Sequence, residues 1–197
     1  MTGQAELETY LRFPSISANP AHAGDLRACA EWLRDTLRGW GLAAHLEETG
    51  GPPVVLAESA PRPGVPTLLI YGHYDVQPVD PLDIWQTPPF IPSERAGFIH
   101  ARGATDNKGQ TMSLLLGVKR MLARDGGAPV NLRIIAEGEE EIGSPHFFPW
   151  LEAHKAALAC DVALIADTSM IAPGWPSITL GLRGILCYDL VIHGPRA

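Results

Sequence analysis

Three short apolar runs constrain this chain most, because each ends in residues that apolar runs ordinarily avoid. Residues 67–71 (TLLIY) lead into Gly72-His73-Tyr74-Asp75, and residues 130–136 (VNLRIIA) into Glu137-Gly138-Glu139-Glu140-Glu141-Ile142-Gly143-Ser144. Residues 161–166 (DVALIA) lead into Asp167. Runs of this length and character read as buried strands. Helical patterns lie between them. Residues 107–123 carry Met112, Leu115, Leu116, Val118, Met121 and Leu122 on an apolar side, and a second helix is placed at 147–158, after Pro145. An earlier helix carries Leu26, Ala30, Leu33, Leu37 and Trp40 at steps of three and four, with Gly39 and Gly41 as its stop. A Pro- and Gly-rich stretch at 50–64 contains a short apolar run, 54–57, that reads as a further strand. Strands alternating with helices predict an α/β fold, with a mixed, mostly parallel sheet flanked by helices. Residues 75–102, with WQTPPF inside, read as a long loop, and residues 177–193 as two strands separated by LRG. A strand that stops at HGPRA is an odd terminus, and the chain reads as a fragment.

At 197 residues the chain is expected to form one domain or little more. With 46% hydrophobic and 19% charged residues it is neither disordered nor fibrous. No stretch approaches the roughly 20 apolar residues of a membrane-spanning helix. The opening MTGQAELETYLRF is acidic where a secretory signal is basic. Three widely spaced cysteines, Cys29, Cys160 and Cys187, make neither a disulfide framework nor a CxxC metal site. A soluble cytoplasmic protein is expected. The 22 acidic against 15 basic residues, net −7, oppose nucleic-acid binding, which needs a basic surface.

Ligands of open α/β sheets bind beyond the carboxyl ends of strands, so the three decorated ends are expected to converge on one site. Asp106 joins them from RGATDNKG, where it opens the helix at Asn107 and the helix dipole favours an ionised carboxylate. Each residue alone has an ordinary explanation. His73 reads as a hydrogen-bonded structural histidine, Asp75 as a turn residue, Asp106 as a helix cap, Asp167 as a turn cap and Glu139–Glu141 as a solvated charge run. The joint pattern is harder to explain that way, since like charges at one strand end repel unless a cation offsets them. One imidazole among carboxylates suits zinc, with manganese or cobalt as substitutes. His73 and Asp75 are two apart and share a face in extended chain, which suits a metal-bound histidine oriented by a carboxylate. Adjacent glutamates on a bend can divide the work, one binding metal and one taking a proton from water. Ser144 has no GxSxG context, no GxGxxG or P-loop is present, and His22, His45, His100, His146, His154 and His193 lack partner spacing.

GHYDVQP, RGATDNKG and EGEEEIGS, in this order and spacing, resemble the dizinc metallopeptidase family of carnosinases, acetylornithine deacetylase and succinyl-diaminopimelate desuccinylase. HYDVQ and WxTPPF look more like the dipeptidase branch. The resemblance implies that His73 and Asp167 bind one zinc, Asp106 bridges two, and Glu141 binds the second. It makes Glu140 the general base and Asp75 the residue that orients His73, and it implies a cis Asp106–Asn107 peptide bond. The implied function is metal-dependent hydrolysis of peptide bonds in small peptides by a dipeptidase. N-acyl amino acid deacylation by the same chemistry is the alternative, and a non-catalytic fragment a third reading. The implied organisation is 1–184 as the N-terminal part of a catalytic domain and 185–197 as the first strand of a lid and dimerisation domain. Family members continue further, to a last histidine ligand and a partner-facing lid. This chain is therefore expected to be monomeric, with little activity alone.

Overall fold

The computed structural model describes residues 3–124 and 127–194. It divides after Asp167 into a compact body and a segment beginning at Thr168. In the body, helices α1 (Gly3–Leu11) and α2 (Ala23–Gly39) precede strands β1 (Ala43–Glu47), β2 (Val54–Glu58) and β3 (Thr67–His73). A short hairpin, β4 (Ser93–Arg95) and β5 (Phe98–His100), interrupts the long loop and leads to α3 (Lys108–Leu122). Strand β6 (Asn131–Glu137), helix α4 (Phe147–His154) and strand β7 (Val162–Ile165) complete it.

The central sheet has the order β1-β2-β6-β3-β7. β3 lies parallel to both β6 and β7, whereas β1–β2 and β2–β6 are antiparallel. The parallel half is the one whose strands end in His73, Glu137 and the Ala166–Asp167 step, with His73 paired to Glu137 in register. β3 and β6 are largely apolar because both faces of the sheet are covered there, whereas β7 is an exposed edge strand. Successive residues point to opposite faces, so Ile134 packs with Leu33, Leu37, Met112 and Leu115 on one side, and Ile135 joins Phe147, Trp150 and Leu158 on the other. Full burial of an aliphatic side chain of this size contributes about 1.5–3 kcal/mol. Tyr10 stacks on Trp32 at 5.3 Å between centroids and closes the α1–α2 corner.

Besides the hairpin within the expected loop, two elements and one segment depart from the sequence reading. Helix α1 carries few apolar residues, yet Tyr10 and Leu11 are fully buried. Strand β1 (AAHLE) is poor in β-formers and exists because it pairs with β2 over its whole length. Residues 177–193, expected as two strands, form none: among the described residues from Thr168 onward the structure has no helix or strand, only a bridge between Ala172 and Trp175. An extended apolar segment becomes a strand only when a neighbour takes up its backbone N–H and C=O groups, and no described segment does so here. Residues 195–197 lie outside the described chain. Among the described residues no helix is long and apolar enough to cross a membrane.

Candidate metal centre

β3 delivers His73 at its last position, where the ring is fully buried. Nδ1 stands 3.2 Å from Asp75 Oδ1 and 3.2 Å from the Asp75 carbonyl oxygen. Nε2 is buried without a hydrogen-bond partner. It faces Asp106 Oδ1 at 3.3 Å, Asp167 Oδ2 at 3.7 Å and Glu140 Oε2 at 3.8 Å. His73, Asp106 and Asp167 offer ligand atoms that all lie within 4.8 Å of one another. An orphaned imidazole nitrogen ringed by carboxylate oxygens is a donor set that a divalent cation satisfies, and N/O ligands of this kind suit zinc, manganese or cobalt.

The electrostatics follow from this crowding. Burial pulls the His73 imidazolium down, but the Asp75 hydrogen bond and the charges of Asp75, Glu140 and Asp167 outweigh it and raise its pKa to about 9. Glu140 is pushed up by burial and by the neighbouring Asp167, Asp75 and Asp106, with His73 acting in the opposite sense. Negative charge gathered round one nitrogen is what a cation would offset.

The loop after β6 is built by carboxylates. Residues Glu140–Ile142 form a single tight turn closed by Gly143 in the left-handed region at φ 87°. The Asp75 carboxylate accepts the Glu140 N–H at 3.2 Å on Oδ1 and the Glu141 N–H at 3.1 Å on Oδ2. Asp75 therefore holds the turn as well as the imidazole. Glu141 lies outside the three-residue cluster, and its Oε2 accepts from Gln77 Nε2 at 2.6 Å. Burial raises its pKa, with the Gln77 bond working against that rise.

The acidic run 139–141 does not act as one group. Glu139 is 2% exposed and turns away from the cluster to accept the backbone N–H groups of His146 and of Phe147, the latter at 2.8 Å, where α4 begins. His146, which sequence spacing leaves unpartnered, completes this contact with Nδ1 at 2.9 Å from Glu139 Oε2. Glu137 is likewise buried, its Oε1 accepting from Tyr71 Oη at 2.7 Å and from Ser144 Oγ at 2.9 Å. Burial raises the Glu137 pKa to about 7, and the two hydroxyl donors limit the rise.

Asp106 is not a helix cap: α3 begins at Lys108 with Asn107 in the capping position, and Asn107 makes no capping bond with its side chain. The Asp106–Asn107 peptide bond is cis, as the family resemblance implies. Lys108, the first helical residue, is fully buried and donates to the carbonyl oxygens of Tyr10 at 3.2 Å and Phe13 at 2.8 Å. The structure thus brings His73, Asp75, Asp106, Glu140 and Asp167 together and places Glu141 on the adjoining turn. Gln77, Asn107, Glu137 and Tyr71 escaped the sequence reading, although Gln77 and Asn107 lie inside the two motifs that carry His73 and Asp106.

The chain is similar to known proteins in sequence and in fold. Residues 69–183, more than half of the chain, match the model of Peptidase family M20/M25/M40. The human Beta-Ala-His dipeptidase is 40% identical over 151 residues, covering 72% of this chain and 30% of that protein. The Cys-Gly metallodipeptidase of Schizosaccharomyces pombe is 36% identical over 149 residues, covering 74% of this chain and 31% of that protein. The crystal structure of an M20 family metallo-carboxypeptidase from Sulfolobus solfataricus superposes with a TM-score of 0.79 at 37% identity, over 86% of this chain and 38% of that one. The chain spans less than a third of the length of either curated relative. The family model covers more than half of the chain, and the fold agrees with it: the chain belongs to Peptidase family M20/M25/M40.

Proposed function

We propose that this chain supplies the metal-binding part of a dipeptidase active site that hydrolyses the peptide bond of small peptides. The observation that carries the reading is the buried, unpartnered Nε2 of His73 with three carboxylates 3.3–3.8 Å away. His73, Asp106 and Asp167 would hold a divalent ion, and Glu141 on the adjoining turn would serve a second. Zinc is the proposed metal, with manganese or cobalt able to replace it. Bound metal supplies a water of lowered pKa and a Lewis acid for the scissile carbonyl. The chain's own residues do the rest. Asp75 fixes the His73 ring and the turn, so Glu140 is presented at a set distance from the ligands. Glu140 accepts the proton of the attacking water at its carboxylate and returns it to the leaving amine, a role worth about 10²–10⁴-fold in rate.

Residues 1–184 form the first part of the catalytic domain in this reading, and residues 185–197 open a further one. Dipeptidase names among the relatives support a peptide substrate over an N-acyl amino acid. Cys160 and Cys187, both exposed and free, are at home in a reducing compartment such as the cytoplasm.

The test is turnover of Cys-Gly, Beta-Ala-His and N-acyl amino acids by the polypeptide extended to the length of its relatives. Metal-dependent release of amino acids from the dipeptides, abolished by Glu140→Gln with metal content unchanged, is the expected result. Turnover that survives Glu140→Gln overturns the assignment of the base, and turnover of N-acyl amino acids alone overturns the dipeptidase reading.

A further inference from the structure

We propose that Asn107 is a positioning residue of the metal centre: its side-chain amide selects which oxygen of Asp167 faces the ion and ties the ends of β3 and β7 to the start of α3. The inference rests on the reading of His73, Asp106 and Asp167 as metal ligands.

Asn107 is fully buried, so each of its polar valences needs a partner inside the protein. An asparagine amide offers two N–H donors and two acceptor lone pairs, and all four are used. Nδ2 donates to the Ala166 carbonyl oxygen at 2.7 Å and to Asp167 Oδ1 at 2.9 Å. Oδ1 accepts the backbone N–H of His73 at 3.4 Å and the hydroxyl of Thr111. The orientation of the amide is fixed by chemistry, since a carbonyl oxygen can only accept and a backbone N–H can only donate. A side chain lacking either end takes a partner from the buried His73 N–H or from the half-buried Ala166 carbonyl just past β7.

The consequence reaches the metal centre through Asp167. With Oδ1 engaged by Asn107, Oδ2 is the oxygen that faces His73, at 3.7 Å from Nε2. Such outer contacts set the direction and basicity of a ligand, and their loss costs about 10–100-fold in metal affinity. The surroundings are shaped for this residue. A Cβ on Gly72, the residue before His73, would overlap Thr111 Oγ1 and come within 3.2 Å of Asn107 Oδ1. Glycine at position 72 leaves room for Thr111 and for the acceptor end of the amide it bonds.

The test uses the 197-residue chain with zinc alone and cobalt(II) alone as probes. Zinc affinity is read by competition with a chromophoric chelator, and the ligand field by the visible bands of the cobalt form. Asn107→Ala, and the milder Asn107→Ser should the first not fold, are expected to weaken zinc by about 10–100-fold and to change the cobalt bands, because Asp167 is free to turn or to bind through both oxygens. Thr111→Val removes a partner from the far end of the same amide without touching Asp167. It serves as the packing control, expected to lower stability while leaving the cobalt bands as in the wild type. A folded Asn107 variant with unchanged zinc affinity and unchanged bands overturns the proposal while leaving the metal reading intact. Failure of the folded wild type to bind either ion overturns the metal reading itself.

Discussion

A single carboxylate oxygen, Asp75 Oδ1, lies 3.2 Å from His73 Nδ1 and also accepts the Glu140 backbone N–H at 3.2 Å. The end of β3 and the turn after β6 are thereby joined through one buried side chain. The His73 imidazole and the Glu140 turn cannot shift independently, and several consequences can be measured.

Asp75→Ala is expected to weaken zinc binding by about 10–100-fold, since the His73 ring loses its orienting partner. It also leaves the Glu140 and Glu141 N–H groups without their acceptor, so the turn loosens and resistance of this loop to hydrogen exchange falls. Competition titration and exchange at these two amides check both parts. Unchanged protection at both would show that the turn does not depend on Asp75.

Glu139→Ala is expected to act on stability and to spare the metal. Its carboxylate serves the start of α4 and His146, and its removal leaves two N–H groups unpaired at a cost of about 1–3 kcal/mol. Chemical unfolding gives the stability and a zinc titration the affinity. A loss of zinc affinity as large as that from Glu141→Ala would contradict the division of the acidic run described above.

Glu137 gives a pH dependence of known sign. Its pKa lies near 7 in the folded chain against about 4.5 for the free side chain, mainly because burial disfavours the charge. The folded state then binds the extra proton, so this group's contribution is full below about pH 4.5 and is lost as pH rises through about 7. Glu137→Gln keeps an uncharged side chain at all pH values and is expected to flatten the fall in stability over that window. Parallel pH profiles of wild type and variant would contradict this.

Gly72→Ala is expected to destabilise the chain by about 1–3 kcal/mol, because the added methyl meets the Thr111 side chain. Thr111→Ala removes the obstructing atoms, so the double variant should cost less than the sum of the two single changes. Strict additivity in chemical unfolding would contradict a direct collision.

Much of this arrangement is written locally. The runs TLLIY and VNLRIIA lie inside the sheet and are covered on both faces, DVALIA is an apolar but exposed edge strand, and the three ends are visible where His73, Glu137 and Asp167 begin. Helices α2 and α3 show the spacing of a one-sided core contact, with Leu33 and Leu37 or Met112 and Leu115 inward. What could not be read locally depends on partners distant in sequence. Strand β1 takes its conformation from β2, and Tyr10 and Leu11 are buried by α1 docking on the body. Glu139 is indistinguishable from Glu140 and Glu141 as a residue type, and the backbone of His146 and Phe147 together with the His146 ring separates its role from theirs. The same holds for Asn107, whose partners come from β3, α3 and the end of β7. Residues 177–193 show the converse, strong apolar character with no neighbour among the described residues to turn it into sheet.

The most direct test of the account is the number of zinc ions bound per chain, measured by native mass spectrometry on the wild type and on Asp106→Ala, with circular dichroism confirming that both are folded. The account predicts bound zinc in the wild type and its loss in the variant, because Asp106 Oδ1 stands 3.3 Å from His73 Nε2 at the heart of the ligand cluster. A folded wild type without zinc, or a variant that retains as much as the wild type, would contradict it.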